Sequence, residues 1–291
     1  MGYLAVTEMK ALACKISLVN CHILNIRLKV KQMEYKYAPN KNYEDFASGR
    51  VLYHMGGEPT FPVRLAFEIY GRCLSYSVKK ANITLYDCCC GGAYMLTVLG
   101  LLAGDSISKI YASDIDEKSL NLAADNLALL TKEGIMKRRA ELEALYRSYG
   151  KESHREALES IDRIEGMISG KIKTEVFRRD ALEKGKLSFT PDIVIADVPY
   201  GNLTDWNGRS SDGCSGDSIS GESLYGGDSE SKQKMDIDAV NLLMDALYEI
   251  CSQDTIICIC SNKKQKIQTD RYKRLEKQLV GKRRFEIFKR L

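Results

Sequence analysis

Ile83-Thr84-Leu85-Tyr86-Asp87-Cys88-Cys89-Cys90-Gly91-Gly92-Ala93-Tyr94, running on into Met95-Leu96-Thr97-Val98-Leu99-Gly100-Leu101-Leu102-Ala103, is the stretch on which the fold turns. Ile83–Tyr86 reads as a short strand, Gly91-Gly92 as a turn, and Tyr94–Ala103 as an apolar helix. The same succession recurs downstream. Ile110-Tyr111-Ala112-Ser113 is a second strand, followed by a helix over Lys118–Leu130. Val176-Phe177 opens a third strand, Asp192–Ala196 is a fourth, Ile237–Cys251 is a helix and Thr255–Cys260 a strongly apolar strand. Ahead of the first unit, Leu65, Ile69, Cys73 and Tyr76 recur at helical spacing over Val63–Tyr76, with Thr60 and Pro62 suited to the helix start. Strands alternating with helices predict an α/β fold with a doubly wound, mostly parallel sheet. In such sheets ligands bind beyond the carboxyl ends of the strands, so the residues just after each strand are the candidates for chemistry.

Two segments interrupt the alternation. Residues 131–170 are charged and helical, with one stripe at Leu142, Leu145, Tyr146 and Tyr149 and another at Leu158, Ile161, Ile164 and Ile168, broken near Gly150. This predicts a helical hairpin inserted between the second and third strands, packed through its stripes rather than reaching out as an RNA-contacting arm. Residues 203–236 are rich in Gly and Ser, and eight acids face three bases across 203–238. That composition predicts a mobile loop, placed as a lid beside the fourth strand. The first 32 residues differ again. Ala11–Val30 is apolar but interrupted by Lys15, Asn20, Asn25 and Arg27, which fits neither a secretory leader nor a membrane span. Composition changes at Met33, so 1–32 is expected to be an N-terminal extension and 33–291 a single domain.

The chain has 291 residues, 44% hydrophobic and 28% charged, with a net charge of +4, which permits a nucleic-acid partner without demanding one. Its ten cysteines include the run Cys88-Cys89-Cys90 but no CxxC pair, and its three histidines form no metal-binding pattern. We therefore expect reduced thiols, no metal and a cytoplasmic protein without membrane association.

The strand ends carry acids. A glycine-rich turn such as Gly91-Gly92 would serve a nicotinamide dinucleotide equally well. Asp87, immediately before it, separates the readings: an acid there repels a pyrophosphate but pairs with the ammonium of a methionine moiety. S-adenosylmethionine is thus the expected cofactor. Asp114 would accept hydrogen bonds from both ribose hydroxyls, and Ile115 would lie against the adenine face. Asp116 is assigned to capping the following helix. Asp180-Ala181 after the third strand would receive the adenine amino group, although Asp180 suits a turn equally well.

After the fourth strand stands Asp197-Val198-Pro199-Tyr200-Gly201, which resembles the [DNS]-P-P-[YFW] motif of amino-methyltransferases with Val198 in place of the first proline. An exocyclic amine is a poor nucleophile because its lone pair is delocalised into the ring. Asp197 and a backbone carbonyl near Val198 or Pro199 would each accept one N–H and aim the amine at the methyl. Pro199 stiffens that backbone, and Tyr200 offers a face on which the target base can stack. Rate enhancement would come from positioning and from dipoles already in place. At the far end, residues 261–291 carry twelve Lys/Arg against three acids. Lys263, Lys264, Lys266, Arg271, Lys273, Arg274, Lys282, Arg283 and Arg284 together suit a phosphate-contacting surface.

These residues resemble a known family. Asn42–Tyr53, Phe61–Ala66, Cys89-Cys90-Gly91, Leu96–Leu102, Ala112-Ser113-Asp114 and Asp197–Gly201 are similar to the AviRa family of ribosomal RNA methyltransferases, over roughly residues 33–202. The resemblance implies a Rossmann-like class I methyltransferase fold, S-adenosylmethionine as methyl donor, and methylation of a guanine in large-subunit (23S) ribosomal RNA. It also implies a link to orthosomycin resistance. Two residues depart from the family's DPCCGSGY: proline is replaced by Cys88 and the second glycine by Ala93. Two other readings stand beside this one: a DNA adenine or cytosine amino-methyltransferase, for which no target-recognition domain of the usual size is present, and an RNA-binding protein that keeps the fold without the activity.

Overall fold

Residues 33–47, 49–54, 60–199 and 229–291 are described by a computed structural model, with side chains from 239 onward in the last stretch. The chain divides into Met1–Glu34 and Tyr35–Leu291. The expected extension at 1–32 lies outside the described residues, and everything below concerns the second unit.

Among the described residues, seven strands form one sheet. They are β1 (Ile83–Asp87), β2 (Ile107–Asp114), β3 (Lys173–Arg178), β4 (Ile193–Asp197), β5 (Ile256–Asn262), β6 (Tyr272–Val280) and β7 (Arg283–Arg290). Their order is β3-β2-β1-β4-β5-β7-β6. The first five are parallel, while β7 runs antiparallel to both β5 and β6. The expected α/β class and mostly parallel, Rossmann-like sheet are therefore present. Chain order reverses between β1 and β4, and such a switch point opens a crevice beyond the strand ends.

The helices are α1 (Val63–Tyr76), α2 (Tyr94–Leu102), α3 (Glu117–Ala128), α4 (Lys132–Tyr149), α5 (Glu152–Glu165) and α6 (Ser229–Ile250). Asp116 caps α3, accepting the Ser119 N–H at 2.8 Å. Thr131 caps α4, which ends on Gly150 in the left-handed conformation, so α4 and α5 form a hairpin between β2 and β3. The central strands are buried on both faces, as their continuous Ile/Val/Leu runs require. One side packs Val194, Ala196, Ile257 and Ile259 against Val240, Leu243, Met244 and Leu247 of α6. No helix lies between β3 and β4. Residues 179–192 cover the sheet there, with Phe189 stacked on Tyr111 at 3.5 Å between ring centroids.

Several expectations change. Val176-Phe177 does not open β3 but sits in its second half, because Lys173, Thr174 and Glu175 form an exposed edge without an apolar pattern. Residues 229–236, expected in the loop, are the first turns of α6; the remainder of that loop, 203–228, lies outside the described residues. In α4 the stripe is buried only at Leu142, whereas Leu145, Tyr146 and Tyr149 are exposed. The basic tail is an antiparallel hairpin packed onto β5. Arg284, counted among the surface charges, is buried against Glu286 at 2.8 Å. Among the described residues no helix is long and apolar enough to cross a membrane.

Candidate active site

Asp87 ends β1 and Asp197 ends β4, one on each side of the switch point. Asp87 is only 2% exposed and accepts the Cys89 N–H at 3.0 Å. Burial pushes its carboxyl well above the usual carboxylate range, the Cys89 N–H pulls it back, and the charges of Asp197 and Asp114 raise it again. Asp87 thus lies in the negative field of the carboxylates at the ends of β2 and β4. A cationic ligand would relieve that repulsion, and a pyrophosphate would aggravate it.

The turn after β1 is tied to the end of β2 by two bonds. Gly91 N–H donates to Asp114 Oδ2 at 2.8 Å, and Cys90 N–H donates to the Ser113 carbonyl at 3.0 Å. Asp114 Oδ1 accepts the Asp116 N–H at 3.1 Å. Gly91 has φ +50°, a region that favours glycine, and a Cβ there would meet no atom within 4 Å, so the turn faces open space. Gly92 is small for a different reason: a Cβ would lie 2.5 Å from Leu122 Cδ2 on α3. Its lack of a side chain sets the packing of turn on helix. Ala93 also has positive φ, at +53°. Cys88 and Cys90 are buried, Cys88 within the core beside α6, which fits them as packing residues. Burial pushes the Cys90 thiol up, keeping it neutral.

Asn126 of α3, fully buried, is a residue the sequence did not flag. Its Nδ2 donates to the Gly92 carbonyl at 2.8 Å and to the Tyr53 carbonyl at 3.0 Å, while its Oδ1 accepts the Tyr53 N–H at 2.8 Å. One amide therefore fastens the glycine turn to the chain ahead of α1. An asparagine in the last turn of a helix carries no signal of this in sequence.

Beyond β4 the backbone is held from the β5 side. Val198 N–H donates to the Cys260 carbonyl at 3.0 Å, and the Val198 side chain is buried in the core. Gln265, 2% exposed, donates from Nε2 to the Pro199 carbonyl at 3.1 Å and accepts the Asn262 N–H on Oε1 at 2.9 Å. The Pro199 carbonyl, one of two candidates for holding a substrate N–H, is thus already engaged. Asp197 and Pro199 are half-buried; Tyr200 lies outside the described residues.

Asp180 stands apart from this group. Its Oδ1 accepts the Leu182 N–H at 2.9 Å and its carbonyl accepts the Glu183 N–H at 3.1 Å, so it closes a turn. Ala181 packs against the core beside Leu182. Ile115 is half-buried, and its carbonyl accepts Arg178 Nε–H at 3.1 Å. A direct bond joins Gly91 to Asp114, and charge links Asp87 to both Asp114 and Asp197. Among the described residues no bond joins Asp180 to them. Nor does any group of His, Cys, Asp and Glu among the described residues have the arrangement of a metal site.

Comparison with known proteins places this geometry. The family model described as rRNA methyltransferase AviRa matches residues 33–216 and 224–283. A curated 23S rRNA (guanine(2535)-N(1))-methyltransferase of Streptomyces viridochromogenes is 40% identical over 184 residues, covering 60% of this chain and 74% of the relative. Two solved structures of rRNA methyltransferase AviRa from Streptomyces viridochromogenes superpose with a TM-score of 0.71 each, at 30% and 29% identity. Each covers 88% of this chain and 96% of its own.

Proposed function

The chain belongs to the AviRa family of ribosomal RNA methyltransferases, and from that premise we propose that it transfers the methyl of S-adenosylmethionine to N1 of a guanine in large-subunit ribosomal RNA. The observation that carries the reading is the pair of acids flanking the β1/β4 switch point, Asp87 on one side and Asp197 on the other. The sequence pointed to an exocyclic amine. The relative's name, which specifies a ring nitrogen, moves the proposal to N1.

The residues fit the methyl donor. Asp87, with its field of neighbouring carboxylates, would hold the ammonium, and Asp114 the ribose hydroxyls. Asp114 would then release or share the Gly91 N–H it now accepts. The open space over Gly91 gives the methionine moiety its approach. Ile115 and Asp180-Ala181 are proposed for the adenine. Bound S-adenosylmethionine supplies a methyl on a sulfonium, an electrophile that needs no further activation.

The change from amine to ring nitrogen alters what Asp197 must do. At an exocyclic amine a carboxylate need only orient an N–H. Guanine N1 carries a proton and exposes a usable lone pair only as that proton leaves. In this proposal the Asp197 carboxylate accepts the N1–H and takes its proton as the new bond to carbon forms. The carboxylate's second oxygen would accept from the neighbouring 2-amino group and so orient the base through its Watson–Crick edge. Gln265 keeps the Pro199 turn in register with Asp197, and Tyr200 is proposed as the stacking face.

The test is methyl transfer to protein-free large-subunit ribosomal RNA, with mass-spectrometric mapping and primer extension. N1-methylguanine has lost the donor used in pairing, so reverse transcription should stop at one guanine. A methylated guanine that primer extension reads through would return the site to the exocyclic amine. Absence of any incorporated methyl would overturn the proposal. Orthosomycin resistance belongs to the same proposal and predicts a higher inhibitory concentration in cells that express the protein.

A further inference from the structure

The basic residues of the C-terminal segment are not equivalent once the hairpin is formed. β7 is antiparallel to β5, and Asn262, the last residue of β5, pairs with Arg283, the first of β7. The turn between β6 and β7 therefore lies at the same end of the sheet as Asp87, Asp114 and Asp197. Cys260 pairs with Asp197 across β4 and β5, so the end of β5 is about 7 Å further along at ~3.3 Å per residue.

Four lysines, Lys263, Lys264, Lys266 and Lys282, occupy this edge, and all four are exposed. Among the described residues none of their ammonium groups has an ion-pair partner. At the opposite end of the hairpin three cations are committed. Lys289 faces Asp254 at 3.5 Å, Arg271 faces Asp245 at 3.8 Å, and Arg290 donates to the Tyr248 and Cys251 carbonyls at 3.2 and 2.9 Å.

The backbone beneath the four lysines is fixed. Lys263 N–H donates to the Lys282 carbonyl at 3.3 Å, and Arg284 Nη1 donates to the Lys263 carbonyl at 3.3 Å. Lys264 N–H donates to Asn262 Oδ1 at 3.0 Å. Between them Gln265 turns inward to the Pro199 carbonyl. The same short loop thus points its lysines to solvent and its glutamine at the turn that follows Asp197. Held this way, the lysines lose less freedom on meeting a ligand than lysines on a free tail would.

We infer that Lys263, Lys264, Lys266 and Lys282 form a phosphate-binding rim along the β5–β7 side of the active site. The rim grips the RNA backbone next to the nucleotide that enters beside Asp197. The inference rests on the methyltransferase reading above, and it adds which edge of the sheet the strand crosses. A chain of phosphates suits four uncommitted ammonium groups in a row better than a single anion does, because each contact releases its own counterion.

The experiment compares two double variants with equal charge change, Lys264→Gln/Lys282→Gln at the rim and Lys273→Gln/Lys277→Gln on the exposed face of β6. Binding to protein-free large-subunit ribosomal RNA is measured across a salt series, with a thermal melt as the folding check. The rim variant should bind roughly tenfold more weakly near physiological salt, and its log–log salt slope should fall by about 1.4, at ~0.7 per phosphate on a single strand. The β6 variant should stay within about twofold of the parent. Equal loss in both variants, which would mean net charge and not location, overturns the rim, as does no loss in either. A parent protein that shows this binding pattern but transfers no methyl would keep the rim and overturn the methyltransferase reading, so the two fail separately.

Discussion

The two halves of the site, on either side of the β1/β4 switch point, are built by opposite means. On the β1–β2 side the groups are acids, and they are held by bonds between residues close to the strand ends: Asp87 by Cys89, Asp114 by Gly91 and Asp116. On the β4–β5 side Asp197 is followed by a turn that gets its support from 66 residues away, through Gln265. Among the described residues, the exposed charges flanking Gln265 are Lys263, Lys264 and Lys266. The difference matches the proposed ligands. A small cation is met by carboxylates that repel one another until it binds. A large polyanion is met by a basic edge, with one carboxylate kept for the base.

The sharpest way to break this division is to remove one acid from each half. Asp197→Ala should lower kcat by about 10²- to 10⁴-fold, the usual range for a lost general base, with cofactor affinity within about threefold of the parent. Asp114→Ala should do the reverse and weaken S-adenosylmethionine binding by about ten- to a hundredfold. That corresponds to one or two charge-assisted hydrogen bonds at about 1.5–3 kcal/mol each, less what the freed Gly91 N–H regains from solvent. Calorimetric titration with cofactor and single-turnover methyl transfer separate the two. If either variant loses binding and chemistry together, the halves are one unit and the division is wrong.

A smaller effect should follow from the support of the second half. Gln265→Leu leaves the Pro199 carbonyl and the Asn262 N–H without their buried partner. It should cost kcat between about ten- and a hundredfold through misplacement of the turn, with the KM for cofactor unchanged. A drop in melting temperature with normal kcat would reduce Gln265 to a structural residue. This glutamine also marks the limit of what the sequence disclosed. Asp87, Asp114 and Asp197 were legible because strand-end acids follow runs such as Ile193-Val194-Ile195-Ala196, whose burial is plain from composition. That the sheet is mostly parallel followed from the same alternation. Gln265 was hidden because its partner is remote and its neighbours are lysines, so it reads as one more polar residue in a basic stretch. The β6–β7 hairpin was hidden for a related reason. Glu286 is buried against Arg284 and also meets Arg274 at 2.9 Å, so charges that signal a solvated tail are in fact paired inside a sheet. Charge complementarity across strands does not show in a one-dimensional pattern.

The smallest effect concerns Ala93, where the resembling family pattern has glycine. Its φ of +53° puts a Cβ in the left-handed region, at a cost of about 1–2 kcal/mol. Ala93→Gly would remove that strain. The same change restores backbone freedom to the unfolded chain, worth about 0.4–1 kcal/mol against folding. It also deletes a methyl that is 1% exposed, worth about 0.8 kcal/mol. The opposing terms nearly cancel, which is why alanine is tolerated at a position that geometry would assign to glycine. The variant should therefore melt within about 3 °C of the parent and bind S-adenosylmethionine within about threefold. The bond between Gly91 and Asp114 lies two residues before the substitution and does not depend on the Cβ. A gain in cofactor affinity of tenfold or more would show that alanine closes the turn against its ligand. That result would revive the reading of this chain as a fold retained without its activity. Unchanged affinity confines the departure at Ala93 to a local exchange of strain for burial and entropy, with both halves of the site intact.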